Sequence, residues 1–217
     1  MKAYPVFLIG LENRRCVVLG GGREAERKVS GLLDARAAVT VVAPAVTPRL
    51  QAFVHAGRLQ WLARRHRPGD LKGAFLVFAT SSARRENERA WREAQEVGAL
   101  INAVDDVPHC SFIAGSIVRR GDLVVAISTG GTAPALAVRL REALERQLGD
   151  EYADFLALLA QLRTRLVERV PDFAERRALW YELVDSGALT DLRDGRPERA
   201  RQRLDAVVRT HDGATSS

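Results

Sequence analysis

The chain has 217 residues and 47% of them are apolar, which is enough for one large folded domain or for a domain and a smaller one. Its two cysteines cannot form a disulfide framework and no stretch reaches the length of a membrane span, so we expect a reduced, cytoplasmic protein with no membrane partner. The net charge of +6 favours either an anionic ligand or an arginine-rich, solvated surface, and no nucleic-acid-binding signature accompanies it.

Strand-like runs alternate with helical patterns over the first hundred residues. Short runs rich in apolar and β-branched residues predict five strands, at 16–19, 38–43, 59–62, 75–79 and 100–104. Helical spacing predicts helices at 24–35 and 83–97, with a turn and a short helix within 44–56. Ser82 is expected to cap the 83–97 helix, and Gly98 to end it. The alternation predicts an α/β fold with a mostly parallel sheet covered by helices on both faces.

A glycine turn separates the first predicted strand from the first predicted helix. Residues 20–25, Gly-Gly-Gly-Arg-Glu-Ala, satisfy the pattern G-x-G-x-x-A. In that pattern Gly20 permits a tight turn, Gly22 lets backbone N–H groups approach a pyrophosphate, and Ala25 allows close packing of helix on strand. A glycine-rich turn that binds nothing is the alternative. The position between strand and helix favours a dinucleotide site in a Rossmann-type, doubly wound sheet.

The acidic residue that usually follows the second strand of such a sheet is missing. The strand leads into Ala43 and Pro44, so no carboxylate is available to bind the adenosine ribose. Backbone groups, or another side chain such as Arg23, would have to replace it. The usual sequence test for NAD against NADP is therefore lost. A P-loop ending is also missing, which argues against a nucleoside triphosphatase.

Asp105 directly follows the fifth predicted strand. Doubly wound sheets place their chemistry at the carboxyl ends of the strands, where a carboxylate can act as a general base. Asp105 and Asp106 before Val107 and Pro108 would also make a good turn. Position alone favours neither interpretation.

The pattern changes in the second half of the chain. Runs at 111–118 and 123–127 predict a hairpin, and Pro134 suits the first turn of a helix that reaches about residue 148. Residues 151–208 are helical in pattern, and we expect the tail 211–217 to be disordered. We predict a nucleotide-binding domain over 1–112, a small α+β module over 113–149 and a helical C-terminal domain over 150–217.

Four stretches together resemble the precorrin-2 dehydrogenase and sirohydrochlorin ferrochelatase family. They are PVFLIGLENRRCVVLGGGREAERKV, TVVAP, the run from NAVDD through STGGTAPALAVRLRE, and ERRALWYEL. The missing ribose acid is usual in that family. The resemblance implies NAD-dependent conversion of precorrin-2, a tetrapyrrole with eight carboxylates, into sirohydrochlorin, followed in many members by insertion of Fe2+. It also implies a homodimer with the 113–149 module at its interface.

The resemblance assigns roles to individual residues. Asp105 takes the central catalytic role, and no side chain is implied as a metal ligand. The predicted cofactor contacts are Gly20, Gly22, Arg23, Glu24, Pro44, Ala45 and Thr80. The predicted substrate contacts are Ser128, Thr129, Gly130, Gly131 and Thr132, whose hydroxyl and backbone donors suit carboxylates. The methyltransferase domain of fused relatives is not expected here, so another protein would methylate uroporphyrinogen.

Several alternatives stay open at this stage. Residues 128–132 serve either as a helix cap or as a cap that also binds ligand. His109 either assists proton transfer, holds incoming iron, or does neither. The whole chain is either a dehydrogenase with chelatase activity, a dehydrogenase without it, or a non-catalytic NAD-sensing regulatory domain. A basic nucleic-acid-binding protein with a vestigial nucleotide fold is the remaining rival.

Overall fold

The computed structural model describes residues 4–81 and 83–214, and the side chains of 212–214 are not among the described parts. The chain forms two compact units. Unit 1 holds the chain up to Ala114 together with Gly130–Thr132, and unit 2 holds Gly115–Thr129 and the chain from Ala133 onward. Ser82, the predicted cap of the 83–97 helix, lies outside the described residues.

Unit 1 is built on a five-stranded parallel sheet in the order β3-β2-β1-β4-β5. The strands are β1 (Arg15–Leu19), β2 (Ala38–Val42), β3 (Gln60–Leu62), β4 (Leu76–Ala79) and β5 (Leu100–Ala103). Helices α1 (Arg23–Asp34), α2 (Pro48–His55) and α3 (Arg84–Val97) connect them, and a 3-10 turn (Val107–His109) follows β5. Strand order reverses between β1 and β4, which is where doubly wound sheets bind ligands. The predicted Rossmann-type α/β fold is confirmed.

The central strands are apolar on both faces because both faces are covered. In β1, Cys16 and Val18 pack in one hydrophobic cluster and Val17 and Leu19 pack in the other. This two-sided burial explains the unbroken apolar runs, which show no alternation with polar residues. Gly98 ends α3 in the left-handed conformation with φ of 69°, as the sequence predicted.

The described part of unit 2 combines a hairpin with five helices. Strands β6 (Ser116–Arg120) and β7 (Leu123–Ile127) pair antiparallel, which confirms the predicted hairpin. The helices are α4 (Pro134–Gln147), α5 (Glu151–Arg169), α6 (Phe173–Asp185), α7 (Ala188–Arg193) and α8 (Pro197–Ala214). Leucines from α5, α6 and α8, including Leu166, Leu183 and Leu204, form its buried core. Within the described residues, no helix is both long and apolar enough to span a bilayer.

The apolar run at 111–118 does not form one strand, which corrects the sequence prediction. Ser111 donates its backbone N–H to the Ile101 carbonyl at 2.7 Å, and the Phe112 carbonyl accepts from Asn102 Nδ2 at 3.0 Å. The Phe112 ring meets Phe78 edge-on, with 5.6 Å between ring centroids. The first part of the run therefore packs against the parallel sheet of unit 1, and the hairpin strand begins only at Ser116.

The predicted disorder of the tail is corrected for 211–214, because α8 continues through Ala214. His211 Nε2 lies 3.2 Å from Glu175 Oε1 of α6, and the His211 side chain is mostly buried. This contact ties the last turns of α8 to the helical unit. Residues 215–217 lie outside the described part of the chain.

A buried carboxylate joins α7 to α8. Asp191 is only 2% exposed, and it is paired with Arg196 at 3.1 Å, with Arg199 at 3.5 Å, and with Arg203 through a short hydrogen bond. Burial alone would raise the pKa of Asp191, but Arg203, Arg199 and Arg196 together lower it below its ordinary value. The ionised form of Asp191 is therefore stabilised by folding.

We expect this cluster to make the stability of the protein depend on pH in the acid range. The pKa of Asp191 is lower in the folded chain than the value of about 3.9 in the unfolded chain, so its contribution is complete above that pH. The free energy of unfolding should fall as pH drops below about 4, because the unfolded chain then binds the proton more readily. Urea unfolding at stepped pH measures this slope. Asp191→Asn should flatten it, whereas Asp194→Asn, half-exposed in the next turn, should leave it nearly unchanged.

Candidate functional site

The glycine turn leaves β1 against the end of β4. Gly20 has a positive φ of 118°, and a methyl group there would lie 2.1 Å from Thr80 Oγ1. Thr80 in turn donates both its backbone N–H and its hydroxyl to the Leu19 carbonyl, at 2.9 and 3.0 Å. Glycine is therefore required at position 20 by conformation and by space. Thr80, which the sequence predicted near the cofactor, contacts the turn directly.

Gly21 is the most tightly enclosed glycine of the turn. A methyl group on it would lie 1.9 Å from the Ala45 carbonyl oxygen, and its own carbonyl accepts from the Thr47 N–H at 3.0 Å. The sequence pattern treats position 21 as free, so sequence reasoning missed this requirement. The third consecutive glycine, one more than the motif demands, was the available signal.

Gly22 differs from both of its neighbours. A methyl group at this position would meet no atom of the described chain within 4 Å, and the residue is exposed. Gly22 is the N-cap of α1, and as a glycine it has no side chain to accept a hydrogen bond from the first turn of that helix. The N–H groups of the first turn have no intrahelical partner, so they form an open set of donors with the helix dipole behind them. This cradle suits the pyrophosphate of a dinucleotide.

Charges around the cradle also suit an anion. Arg23 is exposed and makes no hydrogen bond or ion pair to the described side chains. Glu24 pairs with Lys28 at 3.2 Å and with Arg27 through a short contact. Burial would raise the pKa of Glu24, but these two cations together lower it below its ordinary value. The Glu24 carboxylate beside the glycine turn is therefore balanced by cations.

The loop after β2 lies beside the glycine turn. Pro44 and Ala45 are exposed there, and the Ala45 carbonyl closes on Gly21. Thr47 fastens the loop to α1 by donating its hydroxyl to Glu26 Oε2 at 2.6 Å. The structure therefore brings Pro44 and Ala45, two predicted cofactor contacts, next to the turn. Backbone and small apolar groups occupy the place of the usual ribose acid.

Asp105 lies at the same edge of the sheet. Ala79 pairs in register with Ala103, so the residues after β4 and those after β5 leave the sheet side by side. Asp105 has a positive φ of 58° and is exposed. Across residues 4–81 and 83–214, its carboxylate has no hydrogen-bond or ion-pair partner. A free carboxylate at this edge is able to accept a proton from a bound molecule.

Asp106 has the structural role in the turn that was one of the two interpretations of the Asp105–Asp106 pair. Its side chain stabilises the turn after β5 by hydrogen bonds. Its carboxylate accepts from His109 Nδ1 at 2.9 Å and from Asn87 Nδ2 at 3.4 Å. Cys110 adds contacts between its sulfur and the backbone of Ala103 at 3.2 Å, and burial raises the pKa of its thiol. Sequence reasoning considered Asp106 only as a turn residue and missed Asn87. The doubled aspartate was a local signal for Asp106, whereas nothing near Asn87 in the sequence pointed to it.

The segment at 128–132 is divided between the two units. In unit 2, Thr129 Oγ1 accepts at 3.2 Å from the N–H of Ala133, the N-cap of α4, and Ala133 itself has no side chain that could cap the first turn. Gly130 and Gly131, in unit 1, have positive φ of 64° and 81°. A methyl group on Gly131 would lie 3.2 Å from Val107 Cγ2, so this glycine packs beside the turn that carries Asp105.

The described part of the chain also contains a cleft away from this edge. A cleft of about 460 Å3 is lined by Arg15, Ala38, Arg58 and Gln60, at the amino ends of the strands and opposite the glycine turn. In the described part of the chain, no group of three or more His, Cys, Asp and Glu side chains is arranged to hold a metal ion.

Comparisons with known families match the chain in three parts. The family described as putative NAD(P)-binding matches residues 7–116, about half of the chain. The family described as sirohaem biosynthesis protein central matches 120–147, and the sirohaem synthase dimerisation region matches 151–207. The region described as dimerising therefore falls on the helical part, whereas our prediction of a dimer interface concerned 113–149.

Curated siroheme synthases and a solved precorrin-2 dehydrogenase structure are also similar to this chain. Siroheme synthase 1 of Aeromonas salmonicida is 39% identical over 215 residues, covering 99% of this chain and 46% of the relative. Siroheme synthase of Methylobacillus flagellatus is 38% identical over 208 residues, covering 96% and 44%. The chain spans about half the length of these curated relatives. The solved structure of SirC, a precorrin-2 dehydrogenase, is similar with a TM-score of 0.75 and 25% identity, covering 94% of this chain and all of that one.

Proposed function

This chain belongs to the sirohaem synthase family, in the part that carries the NAD(P)-binding domain, and on that premise we propose that it oxidises precorrin-2 to sirohydrochlorin with NAD. One observation carries the proposal: an open anion cradle at Gly22 and the Asp105 carboxylate, which has no partner among the described residues, occur at the same edge of one parallel sheet. A dinucleotide in the cradle and a proton acceptor at that edge are the two parts that a dehydrogenase needs.

The cradle residues fit the cofactor. The N–H groups of the first turn of α1 would hold the pyrophosphate, with Arg23 adding positive charge. The backbone from Ala43 to Ala45 would meet the ribose, since no acid is present there. When bound, NAD supplies the hydride acceptor.

Asp105 handles the proton in this proposal. Oxidation of precorrin-2 removes a hydride and a proton, and the carboxylate of Asp105 accepts the proton. Its exposure supports the role, as does its lack of a partner in the described part of the chain, because no ion pair with a described residue has to be broken before the proton moves. The same carboxylate is suited to take pyrrole protons during Fe2+ insertion, so chelation is a second activity for separate testing.

The charge distribution supports an anionic substrate. Acidic and basic residues balance in unit 2, so the whole net charge of +6 belongs to unit 1. A tetrapyrrole with eight carboxylates is attracted by such a field, and exposed arginines provide donors for carboxylates. The predicted substrate contacts, Ser128, Thr129 and Gly130–Thr132, remain part of the proposal.

A cytoplasmic homodimer completes the proposal. The match of 151–207 to a dimerisation region supports the homodimer. Large apolar side chains are exposed in unit 2, including Ile117, Leu136, Phe173 and Tyr181. A second copy of the chain would cover apolar surface of this kind.

Turnover with precorrin-2 is the direct test. Purified protein mixed with precorrin-2 and NAD should produce NADH and the absorbance spectrum of sirohydrochlorin, and omission of NAD should abolish both. Turnover with NADP alone would correct the cofactor. Tight binding of NAD without turnover would instead identify a sensing domain and contradict the proposed activity. Adding Fe2+ or Co2+ to sirohydrochlorin tests chelation separately.

A further inference from the structure

The turn after β5 holds Asp105 in an unfavourable conformation. A positive φ is uncommon outside glycine, and it persists only where the surroundings impose it. The backbone closes part of the turn, since Asp106 N–H donates to the Ala103 carbonyl at 3.2 Å and His109 N–H donates to the Asp106 carbonyl at 3.0 Å. The first of these bonds ties the turn to the end of β5, and Val104 N–H donates to the Ala79 carbonyl of β4 at 2.9 Å, but none of these backbone bonds reaches α3.

The Asp106 side chain makes that connection. Its carboxylate is 11% exposed and accepts from His109 Nδ1 and Asn87 Nδ2. Because a carboxylate only accepts, His109 must carry its proton on Nδ1 and the Asn87 amide must present its nitrogen. The His109 ring also packs edge-on against Trp91 of α3, with 5.8 Å between centroids. The turn is therefore fastened to α3 at two points.

Asn87 connects this turn to the cofactor side of the sheet. Its Nδ2 also donates to the Ser81 carbonyl at 3.1 Å, and Ser81 follows Thr80, which contacts the glycine turn. Asn87 is 2% exposed, and its Oδ1 has no hydrogen-bond partner in the described chain. An apolar residue at this position would leave both acceptors, the Ser81 carbonyl and the Asp106 carboxylate, without this donor.

We propose that Asp106, held by His109 and Asn87, is a positioning residue that fixes the Asp105 carboxylate relative to the loop after β4. This inference rests on the proposed dehydrogenase function. It adds three residues that act through Asp105 and do not touch the reacting atoms. Loss of the hydrogen bonds to Asp106 would let the turn relax, and small misplacements of a catalytic group slow a reaction strongly.

The test compares two substitutions at His109. His109→Leu removes the donor to Asp106, whereas His109→Asn retains an amide N–H at the position of Nδ1. We expect His109→Leu to lower kcat by at least about tenfold, with KM for NAD and precorrin-2 within about twofold of wild type, and His109→Asn to recover most of the loss. Asn87→Leu should behave like His109→Leu. A kcat of wild-type size in both leucine variants would overturn the proposal.

Two further measurements separate positioning from general structure. In an Asp105→Asn background, His109→Leu should cause no additional loss of kcat, because its effect acts through Asp105. An equal loss in both backgrounds would overturn the proposal. Amide hydrogen exchange over 104–110 should be faster in His109→Leu and Asn87→Leu, and near wild type in His109→Asn.

Failure of the function and failure of the positioning network give different results. Absence of turnover in the wild-type protein contradicts the dehydrogenase, and the exchange experiment then still decides whether the network holds the turn. Unchanged exchange in the leucine variants contradicts the network, whatever the activity.

Discussion

Asp105→Asn should lower kcat for precorrin-2 oxidation by about 10²- to 10⁴-fold, the usual contribution of a general base. The asparagine has nearly the same shape and tolerates the positive φ, so the turn is expected to survive the change. It cannot accept the proton, which is the role assigned to the free carboxylate at the end of β5. The dissociation constant for NAD should stay within about twofold, because the cofactor is held at the glycine turn.

Asp34→Asn is the matched control for this variant. Asp34 is also an exposed aspartate of unit 1, but it lies at the last residue of α1, away from the carboxyl ends of the strands. Its kcat should equal that of the wild type. Full turnover by Asp105→Asn, measured as NADH formation with saturating substrates, would remove Asp105 from the mechanism.

Single methyl groups at Gly21 and Gly22 should have different effects, on the stability of the fold at Gly21 and on NAD affinity at Gly22. Gly21→Ala places a carbon 1.9 Å from a backbone oxygen that cannot move without shifting the loop after β2. We expect it to destabilise the fold by about 3 kcal/mol or more, at the upper end of overpacking. Gly22→Ala meets no protein atom, so its stability should stay within about 1 kcal/mol of wild type. The methyl occupies the cradle, and NAD affinity should fall by at least about tenfold, or 1.4 kcal/mol.

Gly31→Ala provides the control within the same helix. A methyl group at Gly31 meets nothing within 4 Å, and an alanine inside α1 should stabilise it by up to about 1 kcal/mol. Thermal unfolding and titration calorimetry with NAD measure both quantities for all three variants. Equal NAD affinities in Gly22→Ala and Gly31→Ala would show that the open space beside Gly22 does not hold the cofactor.

Local chemistry alone predicted much of the fold. Unbroken apolar runs, helical spacing and Gly98 are short-range signals, and each of the five parallel strands falls within one residue of its predicted bounds. The placement of Asp105 close after β5, which ends at Ala103, followed from the same reasoning, since the carboxyl ends of parallel strands share one edge. The boundaries of the three predicted domains and the individual substrate contacts stay predictions.

Only the tertiary structure decided which neighbours complete the site. Gly21 is required because Ala45, far along the chain, closes on it, and no motif at 20–25 contains that information. Likewise Asp106 is distinguished from Asp105 by Asn87 on α3, which turns one aspartate into a buried anchor and leaves the other free. The apolar run at 111–115 packs on the sheet for the same reason. Spacing along a chain records local conformation, whereas burial and hydrogen-bond partners depend on segments that meet only after folding.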